Sequence, residues 1–375
     1  MLKSFLWPEL NETMLRQVGE DPAAEAPAPS PEAQARYPVE FTAFTGEYFR
    51  IWIVNLALTL VTVGIYSAWA KVRKRRYIYS HTRIAGESFE YRAKPWPILK
   101  GRLIALVVLL AAIAAIKFAP AIPADRGERL LRTLVDNLGF IAIFVFAGPW
   151  VIVRAYTFNA YNTAYRNIRL RFRATYWDCL KVTIKYGWLL LLVFTYPWVR
   201  YRLVDFVAKN HCFGTTQFTV SDFKGPFVGA YWSAPSWGFG LFIFLVANVI
   251  PTIPSKTVQL LLVIASYLSI LFLYACLRAM TINAVWSNIH VGAVRFESQL
   301  RRLDMMWLYV TNLAAIIFTL GLATPWAVIR TYRYRASKTT VIASGSLDGF
   351  VQAEAQQVSA AGEEVGELLD LDIGL

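Results

Sequence analysis

The sequence predicts a membrane all-α bundle that carries a small β module and consists of pseudo-repeats of about 129 residues. Three observations lead to this fold class. Long segments of the chain carry no charge, several of these segments end in the same Trp-x-x-x-Arg pattern, and short alternating stretches around a glycine follow the ends. The predicted order within a repeat is a helix, a β element, a helical hairpin and another β element.

The long hydrophobic segments determine the predicted fold class. Of the 375 residues, 56% are hydrophobic and 17% are charged, whereas soluble domains carry about 25% charged residues. A helix that spans a bilayer needs about 20 apolar residues. The candidate membrane segments are 51–70, 103–122, 138–153, 182–199, 237–253, 257–277 and 305–329. This pattern predicts a multi-pass membrane protein with several transmembrane helices.

The chain divides at changes in composition. Residues 1–40 resemble a disordered acidic and Pro-rich tail without the pattern of a signal peptide. A first membrane repeat is expected at 41–170, a second at 171–296 and a partial third at 297–350. Residues 351–375 are expected to form a loose acidic tail.

The repeat rests on matched residues. Asn55 and Arg73 lie 257 positions before Asn312 and Arg330. An indole prefers the headgroup layer, and an arginine one turn further on can reach phosphate. The residues at these repeat ends are Trp69, Trp150, Trp198, Trp326, Arg73, Arg154, Arg202, Arg278 and Arg330. Chance matching of interface residues is the alternative interpretation.

Polar stretches of alternating pattern predict the β module. They lie at 80–91, 166–174, 210–220, 288–297 and 339–350. Alternation around a Gly turn is typical of a hairpin.

Two topologies are compatible with the charges. The basic run Lys71–Arg76 is expected on the cytoplasmic side. If every segment crosses, the β elements lie on both sides of the membrane. If 51–70, 182–199 and 305–329 instead enter and return, only 103–153 and 237–277 cross, and all β elements share the cytoplasmic face. The second scheme gives the stronger positive-inside bias and is favoured, and both schemes place the carboxyl terminus in the cytoplasm.

Few residues suggest chemistry. Lys71, Arg73, Lys74, Arg75 and Arg76 could contact anionic lipid or merely anchor the chain. The polar residues expected within the membrane are Asn55, Asn248 and Asn312, which either bond between helices or line a polar path. His81, His211 and His290 match no zinc motif, and Cys179, Cys212 and Cys276 are interpreted as free structural thiols. No catalytic residue, metal site, cofactor or nucleic-acid site is predicted.

Residues Phe44–Asn55, Gly64–Arg73 and Ile98–Arg102 resemble a bacterial family of inner-membrane proteins typified by YjgN. The resemblance extends from residue 40 to about 350 and implies a bacterial inner membrane. Because that family is a domain of unknown function, no activity follows from it. The sequence therefore favours a non-enzymatic scaffold or lipid-interacting protein with a cytoplasmic β module. A transporter or channel built on internal repeats is the alternative, and neither a substrate nor a protein partner can be named.

Overall fold

A closed β-barrel organises the chain. The computed structural model describes residues 34–118, 145–233, 242 and 244–372. Ten antiparallel strands in these ranges close in the order β1-β10-β9-β8-β7-β6-β5-β4-β3-β2. The predicted all-α membrane bundle with a small β module is therefore wrong. Eight of the ten described strands have only three to five residues, and such strands leave a weak signal beside apolar segments of about 20 residues, so the sequence predicted too small a sheet.

The strands are short, and all but the first lie within or next to the predicted β stretches. Their bounds are β1 Gln34–Phe41, β2 Thr82–Ile84, β3 Glu87–Tyr91, β4 Thr163–Tyr165, β5 Ile168–Phe172, β6 His211–Phe213, β7 Thr216–Val220, β8 Ile289–Val291, β9 Val294–Ser298 and β10 Thr339–Ser344. β1 closes the barrel because it pairs with β10 and with β2. Residues 34–40, which were expected in a tail, thus belong to the barrel.

The helices lie between the strand pairs. They are α1 Thr45–Val61, α2 Ser67–Ser80, α3 Pro95–Phe118, α4 at 145–161, α5 Tyr176–Gly187, α6 Tyr196–Lys209, α7 Lys224–Trp232, α8 Lys256–Trp286, α9 Arg302–Phe318, α10 Thr324–Ser337 and α11 Leu347–Asp372. α11 covers most of the segment that was expected to be a loose acidic tail.

The strand order gives the barrel two different ends. Sequential antiparallel strands alternate in direction, so successive connections lie at opposite ends. The two-residue turns 85–86, 166–167, 214–215 and 292–293 lie at one end, called the turn end below. The helical connections all leave from the other end, called the helix end. α11 follows β10 and therefore starts at the turn end.

The described helices differ from the predicted membrane segments. Segment 51–70 is broken between α1 and α2, segment 305–329 between α9 and α10, and segment 182–199 between α5 and α6. Parts of 103–122, 138–153 and 237–253 lie outside the described residues. Within the described ranges, one helix, Lys256–Trp286, is long and apolar enough to cross a bilayer. The predicted set of several transmembrane helices is not seen there.

The hydrophobic core lines the barrel lumen. Each first strand of a pair turns an apolar side chain inward, and α11 adds more from the turn end. Buried members are Ile84, Tyr165, Ile168, Phe213, Val291, Val294, Val341, Ala343, Leu347 and Val351. Phe89 and Phe218, which the sequence matched across the repeat, both pack against this core.

α11 closes the turn end through specific contacts. The Glu354 carboxylate accepts hydrogen bonds from the Thr216 hydroxyl at 2.6 Å, the Thr215 hydroxyl at 2.7 Å and both backbone N–H groups. Gly214 has φ +58°, and a Cβ placed there would lie 2.4 Å from Glu354 Oε1 and 2.8 Å from Val358. Glycine at this turn thus permits both the backbone conformation and the close approach of α11.

Candidate membrane interface

Two helical hairpins at the helix end turn in the same way. In α1–α2, Val63 and Gly64 have φ +49° and +89°, and the Gly64 N–H donates to Thr59 O at 2.8 Å. In α9–α10, Leu320 and Gly321 have φ +49° and +94°, and the Gly321 N–H donates to Ile316 O at 2.7 Å. This bond five residues back is that of a Schellman-type helix end, where glycine is favoured.

A threonine satisfies further backbone groups at each of these turns. The Thr62 hydroxyl donates to Leu58 O at 2.7 Å and accepts from the Tyr66 N–H at 2.9 Å. The Thr319 hydroxyl donates to Ala315 O at 2.7 Å and accepts from the Ala323 N–H at 2.9 Å. Internal satisfaction of the backbone is what a segment needs in hydrocarbon.

The hairpin tips expose large apolar side chains. Val63 is 92% exposed, Leu320 is 95% exposed, and Phe194 at the α5–α6 tip is 77% exposed. The neighbouring Val61 and Phe318 are also exposed. Contiguous exposed apolar groups mark a membrane or protein interaction site. All three tips belong to helices that leave the barrel at the helix end.

Buried asparagines join the two helices of a hairpin. The Arg330 guanidinium donates to Asn312 Oδ1 at 3.2 Å and to Thr311 Oγ1 at 2.5 Å, and the Asn312 amide donates to Thr331 Oγ1 at 3.1 Å. Arg73 donates to Asn55 Oδ1 at 3.4 Å. Both asparagines thus act in helix–helix hydrogen bonding.

Asn248 differs from these two asparagines. It lies in a π-helical segment, Leu245–Val249, and donates to the carbonyl oxygen of Phe244, which directly precedes that segment. The structure therefore does not bring Asn248 together with Asn55 or Asn312.

Aromatic rings and arginines lie together near the hairpins. The Arg330 guanidinium lies 5.0 Å from the Trp326 ring centroid, and that of Arg202 lies 5.3 Å from both Trp198 and Tyr186. Trp69 stacks on Tyr66. Such cation–π contacts are favourable, and amphipathic rings of this kind suit a membrane interface.

The remaining predicted repeat ends lie on the longer helices. Trp150 and Arg154 are exposed on α4, and Arg278 is half-buried on α8. They are therefore placed on other connections of the helix end.

The predicted basic run divides into two groups. Arg73, although exposed, and the half-buried Arg75 both donate hydrogen bonds to other side chains, Arg73 to Asn55 and Arg75 to Tyr91 at 3.1 Å and to Asn159. Lys71, Lys74 and Arg76 are exposed. Partial burial and the positive charges of Arg75 and Arg102 lower the pKa of Lys71. Partial burial also lowers the pKa of Lys74. An anionic headgroup beside these lysines would stabilise their charged forms.

The histidines and cysteines do not form a site. His81 and His211 each bond through Nδ1 to the carbonyl oxygen four residues earlier, at 2.7 Å, and His290 Nε2 lies 3.1 Å from Ser221 Oγ. The described residues contain no cluster that could hold a metal ion. Cys179, Cys212 and Cys276 are free and buried.

Sequence reasoning missed the contact between α11 and the barrel. Leu347, Phe350, Val351, Glu354 and Val358 follow the spacing of one helical face. That spacing was a usable signal, but the acidic composition of the segment suggested a loose tail.

Comparison with known sequences places the chain in a family. Residues 36–368 match the pattern of a family described as a bacterial protein of unknown function, DUF898. The chain belongs to that family. No solved structure matches this chain.

Curated relatives match over short segments. The chain is 32% identical over 104 residues to "Inner membrane protein YjgN" of Salmonella typhimurium, which is 28% of this chain and 25% of that protein. It is 46% identical over 48 residues to "Inner membrane protein YjgN" of Escherichia coli K12, 12% of each chain. The matched segments thus cover a quarter or less of these relatives. The predicted resemblance to a YjgN-like family is confirmed.

Proposed function

We propose that the protein is a non-enzymatic, lipid-interacting protein of the bacterial inner membrane. The barrel and the carboxyl terminus lie on the cytoplasmic face, and the short helical hairpins enter the facing leaflet and return. The observation that carries this proposal is the apolar surface of the hairpin tips at the helix end, where Val63, Phe194 and Leu320 are exposed. The relatives named as inner membrane proteins support the location.

The first arms of the α1–α2 and α9–α10 hairpins are too short to cross the whole hydrocarbon core. α1 and α9 each contain 17 residues, which at about 1.5 Å per residue is about 25 Å. That is shorter than the hydrocarbon core of about 30 Å. α8, with 31 residues, is the helix that would cross.

Charge complementarity favours lipid over an apolar protein partner. The exposed Lys71, Lys74 and Arg76 follow the first tip by less than one α2 length. Basic residues beside an inserted apolar group attract anionic headgroups by about 1 kcal/mol each. A lipid bilayer offers an apolar interior for the tips and anionic headgroups for the basic residues.

A transporter or channel receives less support. A transporter binds its solute in a polar cavity near the midplane. The described barrel lumen, which the proposal places outside the bilayer, is walled by apolar side chains, and α11 packs across its turn end. The lumen therefore offers no polar path for a solute.

The test uses charged tips in the full chain. In a Val63→Asp, Phe194→Asp and Leu320→Asp variant reconstituted in liposomes, we expect brominated acyl chains to quench less of the tryptophan fluorescence, because carboxylates oppose insertion of the tips and Trp69, Trp198 and Trp326 follow them closely in sequence. The matched control places Asn167→Asp, Ala293→Asp and Gln352→Asp at exposed positions of the turn end and on α11. Equal quenching in both variants, or a wild-type chain found in the soluble fraction, would contradict the proposal.

A further inference from the structure

Two cavities adjoin where the barrel meets the helices. One, of about 170 Å³, lies in the barrel lumen. The other, of about 470 Å³, lies between α4, α6 and α8. They share three wall residues, Leu170, Phe218 and Trp286. The lumen therefore borders a larger space that belongs to the helix end.

The lumen suits hydrocarbon. The described side chains that line it present only apolar atoms to the cavity, and Phe89, Phe218 and Phe296 come from three different strands. A dry cavity of about 150 Å³ lined by apolar side chains binds a molecule the size of benzene. α11 inserts Leu347 and Val351 from the turn end, so the way in is from the helix end.

The outer cavity carries positive charge at its far side. Among its described lining residues, Arg200 and His211 are the charged or basic groups, and no carboxylate lines it. Arg200 and Ala208 both line it, and eight residues of helix separate them by about 12 Å. Arg200 is exposed. The cavity thus runs from an apolar inner end to a cation near the membrane side.

We infer that the two adjoining cavities together bind an amphiphile with one acyl chain and an anionic headgroup. The chain lies along the outer cavity, its end reaches past Leu170 and Trp286 into the lumen, and the headgroup pairs with Arg200. The inference rests on the proposed function in one respect, because the bilayer at the helix end supplies the ligand. An outer volume of about 470 Å³ is within the usual range of about 300–1,000 Å³ for ligand pockets.

The test measures binding of oleate and of oleyl alcohol to the purified, delipidated full chain in amphipol. Leu170→Trp fills the shared wall, so we expect at least about tenfold weaker binding of both probes. Arg200→Gln removes the cation at an exposed position, so we expect about tenfold weaker binding of oleate and unchanged binding of oleyl alcohol. Arg171→Gln, on the neighbouring exposed position of β5, is the control and should bind both probes as the wild type does.

The outcomes separate this inference from the proposed function. A wild-type chain that shows the expected quenching in liposomes but binds no oleate would overturn the inference alone. Equal loss of oleate with Arg200→Gln and Arg171→Gln, or equal loss of both probes with Arg200→Gln, would remove the headgroup assignment. If Leu170→Trp fails to fold, the Arg200→Gln comparison still decides, because that side chain is exposed.

Discussion

Asn312 is a buried polar residue whose hydrogen bonds hold α9 and α10 together. It is 6% exposed, donates to Thr331 and to Ala327 O, and accepts from Arg330. A buried hydrogen-bonding group that loses its partner costs more free energy than the bond itself contributes. The free energy of unfolding should therefore depend strongly on this residue.

Asn312→Leu should lower the free energy of unfolding by about 1–3 kcal/mol, because Arg330 and Thr331 lose a partner in a buried place. The measurement is the unfolding temperature followed by tryptophan fluorescence. Asn248→Leu is the matched control, since Asn248 is exposed and bonds within its own turn. An equal decrease for both variants would show that the hydrogen bonds of Asn312 stabilise the fold no more than those of an exposed asparagine.

Glu354 makes the closure of the barrel by α11 dependent on pH. Burial raises the pKa of its carboxyl, but hydrogen bonds from Thr216 and Thr215 lower it by more, so the pKa lies below its ordinary value of 4.5. A lowered pKa in the folded state means that the stabilisation is complete above the ordinary pKa and is lost as the pH falls through the folded-state value.

Hydrogen exchange of the first turns of α11 should therefore be slow at pH 7, after correction for intrinsic rates, and should speed up as the pH falls below about 4. Glu354→Gln should exchange faster at pH 7 and lose most of this pH dependence. Glu87→Gln, at an exposed position of the turn end, should behave as the wild type. An unchanged pH profile in Glu354→Gln would show that another group controls α11.

At the scale of elements, α2 places exposed cations beside the first hairpin tip. Replacing Lys71, Lys74 and Arg76 with Gln should reduce the anionic lipid that co-purifies with the protein, because each basic residue near the surface contributes about 1 kcal/mol. The amount of co-purifying zwitterionic lipid should stay the same. Arg83→Gln, Arg171→Gln and Arg295→Gln remove three exposed cations from the barrel strands and should leave the preference for anionic lipid intact. If both triple variants lose this preference equally, net charge explains the effect.

The elements show what the sequence could predict. The strand pairs from β2 to β9 were visible because a short turn with Gly or Asn stands between apolar residues, as at Ala85 and Gly86. The breaks at Gly64 and Gly321 were also visible. β1 was missed because Pro38 and a Pro/Ala-rich approach resemble a tail.

Barrel closure could not be predicted in the same way. It depends on pairs such as Tyr37 with Val341 and Val39 with Ile84, which join distant parts of the chain. The spacing of residues within a short stretch of sequence does not indicate which distant strand it pairs with. The lumen cavity follows from closure, so it was equally hidden.

Across the whole molecule, closure of the barrel constrains where every strand pair can lie. Strands that share hydrogen bonds with both neighbours cannot be separated by a bilayer, and the described strands all do so. The turns 85–86, 166–167 and 292–293 lie at the same end of the barrel. A scheme in which every predicted segment crosses would instead place 87 and 293 on opposite faces of the membrane.

Single cysteines at Glu87, Asn167 and Ala293 test this constraint, because all three positions are exposed at the turn end. With Cys179, Cys212 and Cys276 replaced by Ala, an impermeant maleimide should label none of the three positions in intact cells and all three after the inner membrane is opened. If the hairpins enter the membrane from the cytoplasmic side, as proposed, the reagent reaches the turn end only from the cytoplasm. Labelling of Ala293→Cys but not Glu87→Cys in intact cells would be incompatible with a closed barrel in the membrane-bound protein. Labelling of all three in intact cells would keep the barrel but place it on the outer face of the membrane.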